Sequence, residues 1–150
     1  MKKITLGLIG SGWMESVARA VLAAAFILAA LSKLPHPQEF SDAVAAFRIL
    51  PIPVVNSFAI ILPGLEVICG LAILPRATTQ GAALLMIVLN TVFMIAAASA
   101  MARGLDIKCG CFTISRIHDT VGWGLLFRDA AFIALCLIVL RGDRSSVDLK

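Results

Sequence analysis

The sequence predicts an all-α integral membrane protein, a four-helix bundle with a short amphipathic helix between its first and second spans. Two observations carry this. The 150 residues are 60% hydrophobic and only 15% charged, with a mean hydropathy of +0.98; soluble domains are about half apolar and about a quarter charged. The apolar residues also gather in runs. Residues 81–102 hold no charge, 54–75 hold only Glu66, and 121–140 hold only the adjacent Arg128 and Asp129. Each run reaches the roughly 20 residues that a helix needs to cross the hydrocarbon core.

The first span is the least clean. Only 13 uncharged residues, Ala20 to Ser32, separate Arg19 from Lys33. Extending the segment back to Glu15 reaches spanning length, because Glu15 and Arg19 are four apart and pair on one helix face, while Arg19 can also snorkel towards the headgroups. Met1-Lys2-Lys3 and Ile4 to Met14 read as an interfacial lead-in rather than a cleaved signal, since Gly7, Gly10, Ser11 and Gly12 interrupt the apolar stretch. The four spans are then about 15–34, 54–75, 80–102 and 121–140, in a single four-span domain covering 1–150.

Between spans one and two, residues 35–53 open on Pro35-His36-Pro37 and close on Pro51-Ile52-Pro53. Phe40, Val44, Phe47 and Leu50 or Ile49 recur there at helical spacing, with Glu39, Asp42 and Arg48 elsewhere. This is an amphipathic helix lying on the membrane or capping the bundle. The short link Pro75 to Thr79 makes spans two and three antiparallel neighbours. Small residues (Ala20, Ala23, Ala24 and Ala25, then Ala96 to Ala100 with Ser99) permit the close backbone approach by which helices associate in lipid.

An even number of spans puts both termini on one side. That side collects Lys2, Lys3, Arg19, Arg76, Arg141, Arg144 and Lys150; the other collects Lys33, Arg48, Arg103, Lys108 and Arg116. Seven against five favours cytoplasmic termini, and places the loop 103–120 outside, in the periplasm if the membrane is a bacterial inner membrane. The net charge of +4 is membrane-anchoring charge and calls for no nucleic-acid partner; the partner the composition demands is the lipid bilayer.

The chemistry concentrates in that loop. Cys109-Gly110-Cys111 puts two thiols one residue apart in a polar connection between two spans. Strained, exposed disulfides are typically labile and catalytic, and exposed thiols in an oxidising compartment do not stay free. Lys108 beside Cys109 raises its thiolate fraction, making Cys109 the candidate attacking thiol and Cys111 the resolving one, with the reverse assignment open. Two other readings compete: incidental thiols, and a metal site shared with His118. Zinc sites usually place two to four residues between ligands, so thiol–disulfide exchange is the leading reading and no metal is assigned. Cys69 and Cys136, within spans two and four, read as small buried hydrophobes.

Glu66 and Arg128 are ionisable groups inside spans, where charges face the bundle interior in pairs. They are expected to pair with each other, with Asp129 as a competitor for Arg128. Such a pair serves equally to fix helix register, to bind a membrane quinone, which is the candidate cofactor, or to move a proton. Lys33, Asn90 and Ser99 are lesser candidates, as interhelical hydrogen bonds or interfacial anchors.

Taken in order, several motifs resemble the MauE proteins of methylamine utilisation, within the broader DoxX-like group of small four-helix membrane proteins. They are Ser32-Lys33-Leu34 with Pro37 and Phe40; Ala46-Phe47-Arg48-Ile49-Leu50-Pro51; Leu62-Pro63-Gly64-Leu65-Glu66 with Gly70-Leu71; Cys109-Gly110-Cys111-Phe112; and Arg128. The resemblance runs over roughly 16–140, departing at Thr113, where the family usually has Gly, and at Asp129, where it often has Asn. It implies a membrane protein working with a thioredoxin-like periplasmic partner in disulfide formation or isomerisation while another protein matures. The alternative function is a non-catalytic subunit or assembly factor of a larger membrane complex.

Overall fold

The computed structural model describes residues 4–105 and 123–147, with side chains over 13–105 and 123–142. Five helices follow one another: α1 (Ile4–Lys33), α2 (Pro37–Ala46), α3 (Ile52–Ala72), α4 (Arg76–Ala102) and α5 (Trp123–Val147). Four stretches are long and apolar enough to cross a membrane: Trp13–Lys33, Ile52–Ala72, Arg76–Ala102 and Trp123–Gly142. They match the expected spans to within a few residues. The chain is a multi-pass membrane helical bundle, with α2 as the expected short helix between the first two spans.

Packing closes into a ring. The most extensive contacts are α4 with α5 and α1 with α3; α1 also meets α5, α2 lies on α3, and α3 meets α4 least of the neighbouring pairs. The outside is apolar: Ile60, Ile68, Val88, Ile95 and Phe127 are all largely exposed, which suits lipid as solvent. Trp13 and Trp123, each 71% exposed, begin antiparallel spans and so mark opposite ends, where aromatic anchors sit at the headgroups.

Small residues set the helix spacing, though not all of those expected. Ala18, Ala23, Ala29 and Ala30 of α1, and Ala97 and Ala100 of α4, are buried, whereas Ala20, Ala24 and Ala98 face outwards. The tightest approach is at Gly70: a β-carbon there would lie 2.9 Å from Ile27 Cγ1 and 3.2 Å from the Ala23 carbonyl oxygen. Pro63 sits inside α3 with its ring buried, and its missing N–H frees the Ala59 carbonyl.

At the end holding the α3–α4 turn, the core is dry and close-packed around Leu22, Cys69, Ile73, Met86, Cys136 and Val139. The turn itself is held by side chains. Arg19 donates from Nε to the Ile73 carbonyl at 3.1 Å and from its guanidinium to the Leu74 carbonyl, and pairs with Glu15 at 3.2 Å. Thr79 donates to the Ile73 and Pro75 carbonyls at 3.1 and 2.8 Å. Arg19 is 8% exposed. It caps the α3 carbonyls, whose orphan acceptors attract cations, and the expectation that it snorkels to the headgroups is corrected.

At the other end, α4 stops in a Schellman turn: Gly104 adopts φ +65°, donating to the Met101 carbonyl at 3.0 Å, and Leu105 donates to the Ala100 carbonyl at 3.0 Å. Arg103 donates to the Phe47 carbonyl at 2.6 Å, tying the end of α2 to the end of α4. Phe40 and Phe47 are buried and Val44 is half-buried. The first three positions of the predicted apolar stripe therefore point into the bundle, and α2 caps it; the fourth lies beyond α2, where Arg48 takes φ +51° and Ile49 is exposed.

Candidate functional site

The depth of each polar residue follows from helix rise. Arg19 lies level with the α3–α4 turn, and Lys33 is 14 residues further along α1, about 21 Å at 1.5 Å per residue. Asn90 lies 14 residues into α4, also about 21 Å from the turn. Lys33 is therefore the last residue of its helix but sits near mid-depth of α4, which is 27 residues long. Proline at 35 and 37 ends α1 there, and α2 fills the remaining height.

At this level the bundle opens into a partly enclosed cavity. Its polar lining is Lys33, Glu66, Asn90, Arg128 and Asp129, and its aromatic walls are Phe26, Phe40, Phe93 and Phe132. Phe26 and Phe132 meet edge to face, with ring centroids 6.4 Å apart.

The charges pair differently from expectation. Glu66 accepts from Lys33 Nζ at both carboxylate oxygens, at 2.5 and 2.8 Å, and the Lys33 ammonium lies 5.3 Å from the centroid of the Phe40 ring. Arg128 donates from Nε and Nη2 to Asp129 Oδ1 at 3.1 and 3.0 Å. The expected direct Glu66–Arg128 pair is thus replaced by two pairs around one cavity: one crosses from α1 to α3, and the other joins neighbours on α5. The reason is reach. Lys33 was placed at a span end, but the early end of α1 lowers it to where its four-carbon stem meets Glu66, and Asp129 takes Arg128 locally.

Asn90 donates to the Met86 carbonyl of its own helix at 3.0 Å while lining the cavity; the expected bond between helices is not the one it makes. Asp129 is 2% exposed, and its Oδ2 has no hydrogen-bond partner. A buried, unmatched carboxylate oxygen is costly and marks a place where a donor belongs. The sequence marks Asp129 as a competitor for Arg128 and a departure from the family pattern, and Phe40 as part of an amphipathic stripe and of a family motif, but neither as a wall of a cavity. The signal for Phe40 was present in the proline pair after Lys33, which brings α2 into the bundle.

Cys69 and Cys136 are free thiols in the core, 1% and 0% exposed. Lys108, Cys109, Cys111 and His118 lie outside the described residues; the segment carrying them joins the end of α4 to the start of α5.

Comparison with known proteins bears on the whole chain. The family model of methylamine utilisation protein MauE matches residues 11–142. The methylamine utilization protein MauE of Paracoccus denitrificans is 38% identical over 132 residues, covering 86% of this chain and 69% of that protein. The protein of the same name from Methylorubrum extorquens is 33% identical over 126 residues, 83% of this chain and 67% of its own length. That of Paracoccus versutus is 36% identical over 120 residues, 79% and 64% respectively. The chain thus spans about two thirds of the length of these relatives, and no solved structure matches it significantly. With the model matching nearly from end to end and identities above 30% over most of the chain, this four-span bundle belongs to the MauE family.

Proposed function

We propose that the chain is a membrane thiol–disulfide exchange protein of methylamine utilisation, whose Cys109-Gly110-Cys111 pair passes redox equivalents to a thioredoxin-like periplasmic partner during protein maturation. It sits in the inner membrane, with the Cys-Gly-Cys segment on the periplasmic side and the termini in the cytoplasm. The observation that carries this reading is the division of the four cysteines. Cys69 and Cys136 are enclosed by the apolar core, beyond the reach of a water-borne partner, so exchange falls to Cys109 and Cys111. Membership of the MauE family supplies the link to methylamine utilisation.

The exchange conserves electrons. A thiolate of the partner attacks one sulfur of the Cys109–Cys111 disulfide and forms a mixed disulfide, and the partner's second thiol then displaces it. The partner gains a disulfide and this chain gains two thiols; two electrons and two protons have moved. Run in reverse, the same steps reduce the partner.

Trapping cells with a thiol-specific mass tag tests the reading. The expected result is that the loop pair cycles between oxidised and reduced forms, and that a Cys109→Ser, Cys111→Ser double variant loses the disulfides of the client. Unchanged client disulfides in the double variant, with stoichiometric co-purification in a membrane complex, would instead identify a non-catalytic subunit.

A further inference from the structure

The mid-depth cavity has features that the ion pairs alone leave unexplained. Asp129 lines the cavity, and its Oδ2, covered by neighbouring atoms in this structure, has no hydrogen-bond partner. Protonation does not cure this, because a carboxylic O–H in the same place lacks an acceptor. Lys33 retains one N–H beyond the two that it gives to Glu66. An acceptor in need of a donor and a donor with one bond to spare thus line one cavity, whose remaining walls are Asn90, four phenylalanine rings and small or aliphatic side chains. The formal charges of Lys33, Glu66, Arg128 and Asp129 cancel, so the space suits a neutral ligand. That ligand carries an aromatic-sized ring, a hydroxyl donor and an oxygen acceptor. It arrives through lipid, because the cavity is flanked by the membrane-spanning helices, and the loosest packing in the ring, between α3 and α4, borders it.

We propose that this cavity binds the head group of a membrane-soluble quinol or quinone, with the Asp129 carboxylate turning to bring Oδ2 to the cavity and accept the quinol hydroxyl hydrogen bond, and Lys33 donating to the ligand's opposite oxygen. The head group stacks among Phe26, Phe40, Phe93 and Phe132. The site also deepens the thiol reading, and in this respect rests on it: a quinone is the oxidant that restores the pair. Two S–H bonds of reduced Cys109 and Cys111 break, one S–S bond forms, and two electrons and two protons convert the quinone to the quinol.

The test uses the full chain purified in mild detergent, with decyl-ubiquinone and its quinol as probes, and an azido-quinone as photolabel. On the wild-type chain, the label is expected on peptides of α1, α3, α4 and α5 that line the cavity, displaced by excess decyl-ubiquinol. Asp129→Asn keeps an oxygen for Arg128 but turns the unmatched acceptor into a donor. It is expected to weaken quinol binding by about tenfold or more, the worth of a buried hydrogen bond to a charged group, while leaving quinone binding within a few-fold. Phe93→Leu, which removes a ring and no charge, is expected to weaken both forms alike. Label spread over lipid-facing peptides and not displaced by quinol overturns the proposal. So does equal quinol binding by wild type and Asp129→Asn, which would mean that water fills the site. The Cys109→Ser, Cys111→Ser double variant is expected to bind both probes as wild type does. Binding without quinone reduction by the wild-type chain, when it is supplied with reduced thiols, would therefore sink the thiol reading and leave the binding site standing.

Discussion

Glu15–Arg19 and Lys33–Glu66 are chemically alike, a carboxylate and a cation buried in one bundle, yet they sit in opposite settings. The first pair lies within one helix at the dry end, and its cation is also held by two backbone carbonyls just past the end of α3. The second joins two helices at mid-depth beside a cavity, and each partner is the other's main counter-charge. The comparison separates two uses of buried charge in a membrane protein. Where every polar atom is matched by the fold itself, the charge is a fastening. Where matching is incomplete, as at Asp129 Oδ2, the same residue types are available for a ligand.

The contrast is broken most directly at Lys33 and Glu66. Removing one member of a buried pair leaves a lone charge, which costs about 3–5 kcal/mol by soluble-protein precedent. Glu66→Gln or Lys33→Met alone should lower the fraction folded in a denaturant titration in detergent by that order. The double variant should recover part of the loss. Additive losses would mean that the two side chains act independently and that the pairing across α1 and α3 carries no energy.

Arg19→Met comes next. It strips the α3 carboxyl end of its cap and leaves Glu15 uncompensated, and hydrogen bonds to a charged group are worth about 1.5–3 kcal/mol each at most. A net loss of about 2–3 kcal/mol is expected in the same titration, with quinone binding at mid-depth unchanged. Loss of ligand binding in proportion to stability would show that the two ends are not separable.

Much of the fold was legible because the bilayer imposes one dimension that a sequence can express. Runs free of charge fix which segments cross and where they end, and the period of Phe40, Val44 and Phe47 gave α2 and its inward face. Depth was harder to read. Lys33 ends an apolar run and so reads equally as an interhelical hydrogen bond or an interfacial anchor; the stop at Pro35 and Pro37, followed by a helix that fills the height above, makes it the former. The pairing of Glu66 with Lys33 rather than Arg128 is a consequence of that depth. The Arg19 cap was hidden for a related reason, since its acceptors are backbone carbonyls at a turn that no side-chain pattern announces.

Close approach gives a third, smaller effect. In Gly70→Ala the new β-carbon meets Ile27 Cγ1 at 2.9 Å and the Ala23 carbonyl oxygen at 3.2 Å, and overpacking of this kind costs about 1–3 kcal/mol. Ile27→Ala in the same chain removes the side-chain half of the clash. Partial recovery of the thermal midpoint in the double variant would place the strain on the Ile27 side chain, whereas no recovery would assign it to the Ala23 carbonyl.

The smallest effect should come from Glu15→Gln, and it sharpens the opening contrast because the chemical change is the same as in Glu66→Gln. Gln keeps an oxygen for Arg19 at nearly the same position, and the guanidinium retains the Ile73 and Leu74 carbonyls, which carry the negative end of the α3 dipole. The counter-charge lost is thus backed by two other acceptors, and an i,i+4 pair on one helix is worth only a few tenths of a kcal/mol when exposed. Burial raises that figure, since Glu15 is 4% exposed, but the amide also removes the cost of keeping a carboxylate out of water. Gly142 packs close enough that a β-carbon there would meet Glu15 Oε2 at 2.9 Å, and the isosteric Gln fits the same space. A loss of about 1 kcal/mol or less is expected, against several for Glu66→Gln. Equal losses at the two positions would mean that the Arg19 carbonyl contacts do not substitute for a counter-charge, and that the dry end depends on its ion pair as heavily as mid-depth does.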